Sequence, residues 1–177
     1  LSIRRQRQMC IRDRLEVADA LLDLGIQLVI LGTGDAHYES ALRSLEYRRH
    51  DAVRSLIMFS SEMSSKVYAS CDAFLMPSKT EPCGLSQLIS MHYGTVPIVH
   101  RVGGLYDTVQ PFDGVHGTGF TFESFNSGDL LDAVRRTKEV YDYQKENWAS
   151  IVSQAMTKDV SWNQSAKQYV SLYQSIL

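Results

Sequence analysis

The most informative stretch of this sequence is Ser78-Lys79-Thr80-Glu81-Pro82-Cys83-Gly84-Leu85-Ser86-Gln87-Leu88, which the turn Tyr93-Gly94-Thr95-Val96-Pro97 follows. An apolar run stops just before it at Pro77, which cannot donate to a central strand, and an amphipathic segment starts after Gly84. This pattern predicts a strand that leads through a glycine turn into a helix. The first N–H groups of a helix lack intrahelical partners and attract negative charge. We therefore expect a phosphate or a polarised hydroxyl near Gly84 and Leu85, with the Glu81 carboxylate beside it.

Apolar runs and helical periods alternate along the rest of the chain. Predicted strands cover residues 27–31, 55–59, 73–76, 95–99 and 120–122, and predicted helices cover 15–24, 36–49, 60–71, 129–141 and 143–158, with further helices starting at 85 and 161. In the helix that starts at 85, apolar spacing predicts an inner face of Leu85, Leu88, Ile89 and His92. Alternating strands and helices predict an α/β fold with a parallel sheet, which binds ligands at the carboxyl ends of its strands.

Composition excludes several classes of protein. The 177 residues suit one domain, and a net charge of -2 does not favour nucleic acid or an anionic membrane as a partner. The longest apolar run is far shorter than the roughly 20 residues that cross a bilayer. The cysteines Cys10, Cys71 and Cys83 form no CxxC pair, so neither a disulfide framework nor a clustered zinc site is expected. A reducing, cytoplasmic setting follows as the default.

Known catalytic motifs are absent from the sequence. The five histidines lack the spacings of metal ligands, and neither GxSxG nor a P-loop occurs. The pair Gly32 and Gly34 is followed by His37 where a dinucleotide fingerprint needs its third glycine. What remains is the Glu81 carboxylate among glycine turns, to which the pair Gly103 and Gly104 adds either an anion nest or a simple tight turn. This combination suits a sugar nucleotide, whose phosphates accept from N–H groups and whose hydroxyls donate to a carboxylate.

These motifs together resemble one family. The stretch 77–88, Tyr93-Gly94-Thr95 and Val102-Gly103-Gly104-Leu105-Tyr106-Asp107-Thr108-Val109 are similar to the bacterial glycogen synthase and plant starch synthase family, and the similarity extends over residues 15–177. The resemblance implies a Rossmann-like parallel sheet flanked by helices, forming the carboxyl-terminal, donor-binding half of a GT-B glycosyltransferase. It also implies transfer of glucose from ADP-glucose to the non-reducing end of an α-1,4-glucan with retention, without a cofactor or a metal.

The resemblance assigns roles to seven residues. It makes Glu81 the catalytic-motif carboxylate that contacts the donor sugar, and it assigns backbone contacts with the sugar hydroxyls to Cys83, Gly84 and Leu85. It places Gly103 and Gly104 near the phosphates, and Phe59 against the adenine ring. Each has a plain structural alternative: Phe59 in the core, Cys83 as a small residue, Gly104 as a turn.

Two departures from the family pattern limit what the chain is expected to do. The family's RLxxQKG segment, which supplies cations to the donor phosphates, is replaced here by the arginine-rich residues 1–14, and Ile89 stands where many other GT-B transferases carry a second glutamate. We leave 1–14 unassigned, with a non-native leader as the hypothesis, and interpret 15–177 as the nucleotide-sugar-binding domain. The glucan would bind through an amino-terminal domain that the sequence lacks, so the chain is expected to bind ADP-glucose weakly and to be inactive alone. The alternatives are a non-catalytic nucleotide-binding module and a GT-B transferase for another sugar nucleotide.

Overall fold

The computed structural model describes residues 17–176, so the leader 1–14 and Cys10 lie outside the described residues. The elements in chain order are α1 (17–23), β1 (Leu28–Leu31), α2 (Ala36–Arg48), β2 (Val53–Leu56), α3 (Ser61–Ser70), β3 (Ala73–Met76), α4 (Ser86–His92), β4 (Val96–His100), α5 (Gly104–Thr108), β5 (Phe120–Phe122), α6 (Ser127–Tyr143), α7 (Lys145–Thr157) and α8 (Trp162–Ser175). Strands and helices alternate up to α6, which confirms the predicted α/β class.

Among residues 17–176 the strands are parallel, as predicted, and form two sheets. β1 pairs with β2 through Leu28 opposite Val53, and a second sheet has the order β3-β4-β5. The residues of β1 and of β3 border a cavity of about 1550 Å³. The carboxyl end of each strand runs into a loop, and these loops carry the candidate site.

The core surrounds β4, all five residues of which are buried. One face of the strand, Val96 and Ile98, packs with Phe120, Phe122, Leu130 of α6 and Ile151 of α7. The other face, with Val99, packs with Met91, Leu105, Val109 and Ala155. A strand covered on both faces needs apolar residues at successive positions, which is why this run lacks a polar alternation.

Helix starts follow their capping residues closely. The Asp35 carboxylate accepts from the His37 N–H at 2.9 Å at the start of α2, and the Ser60 hydroxyl accepts from the Met63 N–H at 3.1 Å at the start of α3. After α1, Gly25 has a φ of 76°, which only glycine adopts readily, so the predicted stop there is confirmed.

The predicted strand 55–59 is wrong at both ends, because β2 is Val53–Leu56. Arg54 breaks the apolar run but lies on the exposed side of the strand, where it pairs with Glu46 at 2.8 Å. Beyond Leu56, the Met58 N–H donates to the Leu56 carbonyl, so the chain turns out of the sheet and carries Phe59 into the loop.

The predicted inner face of α4 is confirmed only for Leu88, which packs half-buried against the core around Val99, and is wrong for Leu85, Ile89 and His92. Its buried residues are Gln87, Ser90 and Met91, whereas Leu85 just before it is 66% exposed and Ile89 is 41% exposed. The helix turns its polar side inward because the Gln87 amide has hydrogen-bond partners there, which outweighs the preference for burying leucine and isoleucine.

The chain ends in α8, which starts after Ser161 as predicted and has no buried residue. None of the helices among residues 17–176 is long and apolar enough to span a bilayer.

Candidate functional site

The Glu81 carboxylate lies on the loop that follows β3, half-buried, and borders the large cavity. The Ser78 hydroxyl donates to Glu81 Oε2 at 3.3 Å, which orients the carboxylate from the start of the same loop. An acceptor held in this way at a cavity wall is suited to receive hydrogen bonds from the hydroxyls of a ligand.

The loop around Glu81 packs backbone against backbone on the Gly103–Gly104 turn. The Gly104 N–H donates to the Glu81 carbonyl at 2.8 Å. A Cβ at position 103 would overlap the Glu81 carbonyl oxygen, and one at position 104 would overlap that of Cys83. Gly103 also has a φ of 51°. Both glycines are therefore needed to seat the Glu81 loop, and the Gly104 N–H is already engaged by that loop in this conformation.

Gly84 starts the turn into α4 and lies against Gln87. Its φ is 71°, and a Cβ there would come within 2.5 Å of Gln87 Oε1. Gln87 Nε2 donates to the Gly84 carbonyl at 2.9 Å and to Thr108 Oγ1 at 3.0 Å, while Oε1 is buried without a hydrogen-bond partner within residues 17–176. Sequence reasoning missed Gln87 as a determinant of this turn; a glutamine in the first turn of a helix expected to be apolar was the available signal.

Phe59 lies on the loop after β2, where its ring is 93% exposed, so the alternative that it belongs to the core is wrong. It borders the same cavity as Gly34 at the end of β1 and Glu81 at the end of β3. An exposed aromatic ring beside a carboxylate and a glycine turn offers a stacking surface to a flat ring.

The remaining predicted residues lie close to this cavity but do not border it. Cys83 and Leu85 are exposed on the Glu81 loop, and Gly103 and Gly104 lie behind it. The structure thus places Phe59 and Glu81 on the wall of one large cavity and uses the two glycines as support for the Glu81 loop.

Two residues that the sequence did not single out hold the neighbouring loops. His100 is buried at the end of β4, with Nδ1 2.8 Å from the Ser78 carbonyl oxygen and Nε2 3.1 Å from that of Glu123. It therefore ties the start of the Glu81 loop to the end of β5. A histidine at the end of an otherwise apolar strand was the signal in the sequence.

Arg101 is the second of these residues. Its guanidinium pairs with Glu123 at 3.0 Å and lies over the Tyr106 ring at 4.4 Å. The hydrogen bond to Glu123 raises the pKa of Arg101 further above its ordinary value. This places a fixed positive charge directly before the Gly103–Gly104 turn.

Comparison with known proteins identifies the family to which the chain belongs. A family model described as glycosyl transferases group 1 matches residues 11–150. The chain belongs to this family.

Several curated proteins to which the chain is similar are glycogen synthases. It is 48% identical over 162 residues to a protein of Lachnospira eligens named glycogen synthase, covering 90% of this chain and 34% of the relative. A glycogen synthase of Thermotoga petrophila is 46% identical over 165 residues, again with 34% of its length covered. The chain spans about a third of the length of these relatives.

Solved structures agree with this placement. The catalytic domain of starch synthase IV from Arabidopsis thaliana, bound to ADP and acarbose, superimposes with a TM-score of 0.79 at 34% identity, over 90% of this chain and 34% of that one. A sucrose-phosphate synthase of Thermosynechococcus elongatus, at 22% identity and a TM-score of 0.63, shows the shared fold alone. The chain is thus a Rossmann-like α/β unit that is similar to part of the glycogen and starch synthases.

Proposed function

We propose that this chain is the nucleotide-sugar-binding part of a glycogen synthase, and that it binds ADP-glucose in the opening between Phe59 and Glu81. The observation that carries the proposal is the placement of an exposed ring and an oriented carboxylate on one cavity at the carboxyl ends of the strands. This edge is where parallel α/β sheets bind ligands. The ADP bound to the similar starch synthase supports the choice of nucleotide.

In this proposal the residues have separate tasks. The Phe59 ring stacks on the adenine, and Glu81 accepts hydrogen bonds from the glucose hydroxyls. The backbone of Cys83, Gly84 and Leu85 contacts the sugar, and the Gly103–Gly104 turn supports the Glu81 loop near the phosphates. Transfer to an α-1,4-glucan would require the part of the relatives that lies outside the similarity, because an exposed half-cleft leaves the donor sugar open to water.

Calorimetric titration with ADP and with ADP-glucose tests this assignment. Phe59→Ala should weaken the binding of both ligands about tenfold, or about 1.4 kcal/mol, without lowering Tm, because the ring is 93% exposed. Tyr47→Ala is the matched control, since Tyr47 is 87% exposed on α2 and should leave binding unchanged. Glu81→Gln should remove the preference for ADP-glucose over ADP while leaving ADP binding intact.

The same titrations separate the alternatives. If the chain bound ADP and ADP-glucose with equal affinity, a non-catalytic nucleotide-binding module would be favoured. Displacement of ADP by an equal concentration of UDP would favour a transferase for another sugar nucleotide. If the folded chain bound no nucleotide, the proposal would be contradicted. Robust glucan elongation by the chain alone would contradict the need for a second domain.

A further inference from the structure

Gln87 of α4 is buried directly behind the turn that Cys83 and Gly84 form. Its exposed fraction is 0%, although glutamine is mostly exposed in proteins. Gln87 Nε2 donates to the Gly84 carbonyl at 2.9 Å and lies 3.3 Å from the Cys83 carbonyl oxygen. It also donates at 3.0 Å to Thr108 Oγ1, whose own proton goes to the Gly104 carbonyl. All three neighbours of the amide nitrogen are therefore acceptors, which fixes the orientation of the amide.

This orientation leaves the other end of the Gln87 amide unpaired. Oε1 is buried and has no hydrogen-bond partner within residues 17–176. Burying an unpaired acceptor is unfavourable, and a methionine would fill the same space without it. Packing alone therefore does not account for a glutamine at this position. Its distinctive contribution is the set of contacts that the amide nitrogen makes.

The two carbonyl contacts also fix the direction of two N–H groups. Every peptide bond within residues 17–176 is trans. In a planar trans peptide, the C=O group and the N–H group of the next residue point in opposite directions. Because the Cys83 and Gly84 carbonyls point at the buried amide, the N–H groups of Gly84 and Leu85 point away from it. Neither of these N–H groups has a hydrogen-bond partner in the part of the chain that the structure describes.

We propose that Gln87 is a positioning residue for the donor sugar, which it does not itself contact. By holding the two carbonyls inward, it presents the N–H groups of Gly84 and Leu85 to the glucose hydroxyls, beside the Glu81 carboxylate. Donors that are already oriented lose little freedom when the ligand binds, so their orientation increases affinity. This inference rests on the proposed binding of ADP-glucose.

Thr108 holds the amide from the side of α5. Its hydroxyl accepts from Gln87 and donates to the Gly104 carbonyl at 2.5 Å, in the first turn of the same helix. The Gln87 amide thus connects the turn before α4 to the helix that starts at the Gly103–Gly104 turn. A change at Thr108 that removes the hydroxyl should therefore loosen the same N–H groups as a change at Gln87.

Calorimetric titration of three chains tests the effect on the sugar: the unmodified chain, Gln87→Met and Gln154→Met. Methionine keeps the length of glutamine but donates no hydrogen bond. Gln154 is the matched control, because its side chain also holds a loop, accepting from the Gly117 N–H at 3.1 Å and donating to Ser150 Oγ at 3.0 Å. Gln87→Met should bind ADP-glucose about tenfold more weakly and ADP equally well. Gln154→Met should leave both affinities unchanged, since a purely structural loss would not alter their ratio.

A second measurement needs no ligand. Nitrogen-15 relaxation of the free chain should give order parameters of about 0.85 for the Gly84 and Leu85 amides, falling below about 0.6 in Gln87→Met. Thr108→Val, which lacks the acceptor for the amide, should lower them as well, whereas Thr108→Ser keeps the hydroxyl and should preserve them. The threonine pair decides the question if Gln87→Met does not fold.

An ordered turn in both Gln87→Met and Thr108→Val, or an unchanged preference of Gln87→Met for ADP-glucose over ADP, would overturn the inference. So would an equal loss in Gln154→Met, because the effect would then come from general loosening of the chain. If the unmodified chain binds neither nucleotide, the proposed function fails. The relaxation of the Gly84 and Leu85 amides then still decides whether Gln87 holds the turn.

Discussion

At the scale of single residues, the site depends on glycines that allow two backbones to touch. Gly103 and Gly104 lie against the carbonyl groups of Glu81 and Cys83, and the Gly104 N–H holds the Glu81 carbonyl. A side chain at either position would separate the turn from the loop. Their importance is thus steric first, and any contact with a phosphate would come in addition.

Gly104→Ala should therefore destabilise the chain. The added methyl would overlap the Cys83 carbonyl oxygen, and overpacking of this kind costs about 1–3 kcal/mol. Gly128→Ala is the control. A Cβ there would meet only Asn126 Oδ1, at 3.3 Å, in the first turn of α6, whereas a Cβ at position 104 would overlap backbone. Urea unfolding should give a lower midpoint for the first variant and a shift within about 0.5 kcal/mol for the second. Equal urea midpoints for the two variants would contradict this, because they would mean that the Glu81 loop moves aside at no cost in stability.

At the scale of elements, the Asp113 carboxylate holds the tip of the loop between α5 and β5. Asp113 accepts from the Val115 N–H at 2.9 Å and from the His116 N–H at 2.8 Å. Its far side is held by the Gln154 side chain of α7, which accepts from the Gly117 N–H at 3.1 Å. The backbone bonds lower the pKa of Asp113 below its ordinary value of 3.8.

The lowered pKa of Asp113 determines how the stability of the chain changes with pH. A carboxyl group with a depressed pKa in the folded state adds stability above its unfolded pKa and loses it as pH falls through the folded value. Asp113→Ala should lower Tm at pH 7, and the difference from the unmodified chain should shrink once the pH falls below 3.8. Asp51→Ala serves as the control on an exposed turn. A Tm difference that does not change with pH would show that the charge is irrelevant.

At the scale of the whole molecule, the sheet around β4 carries the larger buried core, and the sheet of β1 and β2 carries a smaller one. Ile151 of α7 is fully buried against this core, whereas no residue of α3 or α8 is buried. The best-packed region therefore lies beneath the Gly103–Gly104 turn and supports it, while the Phe59 side of the site rests on the smaller sheet.

Ile151→Ala should show where the stability resides. Removing a fully buried isoleucine side chain costs about 2–5 kcal/mol, since it also leaves a cavity. Ile176→Ala removes the same atoms from a position that is 73% exposed and should change stability by less than about 0.5 kcal/mol. Thermal unfolding followed by circular dichroism measures both. Similar Tm values for the two variants would contradict the assignment of this core.

The sequence by itself determined the class of the fold and the order of its elements, and it predicts the stretch that carries the site. Apolar runs, capping residues such as Asp35 and Ser60, and the stop at Gly25 act locally, so they can be read without knowing the partners. The roles of Cys83, Gly84 and Leu85 in sugar binding remain predictions.

Only the tertiary structure decided three other features: the inward side of α4, the exposure of Phe59 and the division of the sheet. Gln87 is buried because Thr108 and the Gly84 carbonyl, far apart in sequence, meet at its amide. Phe59 leaves the sheet at a bend after Leu56 that no periodicity reveals. Within residues 17–176 the strands divide into two sheets because the neighbours of each strand are set by crossovers and packing across the whole domain, which local patterns do not reveal.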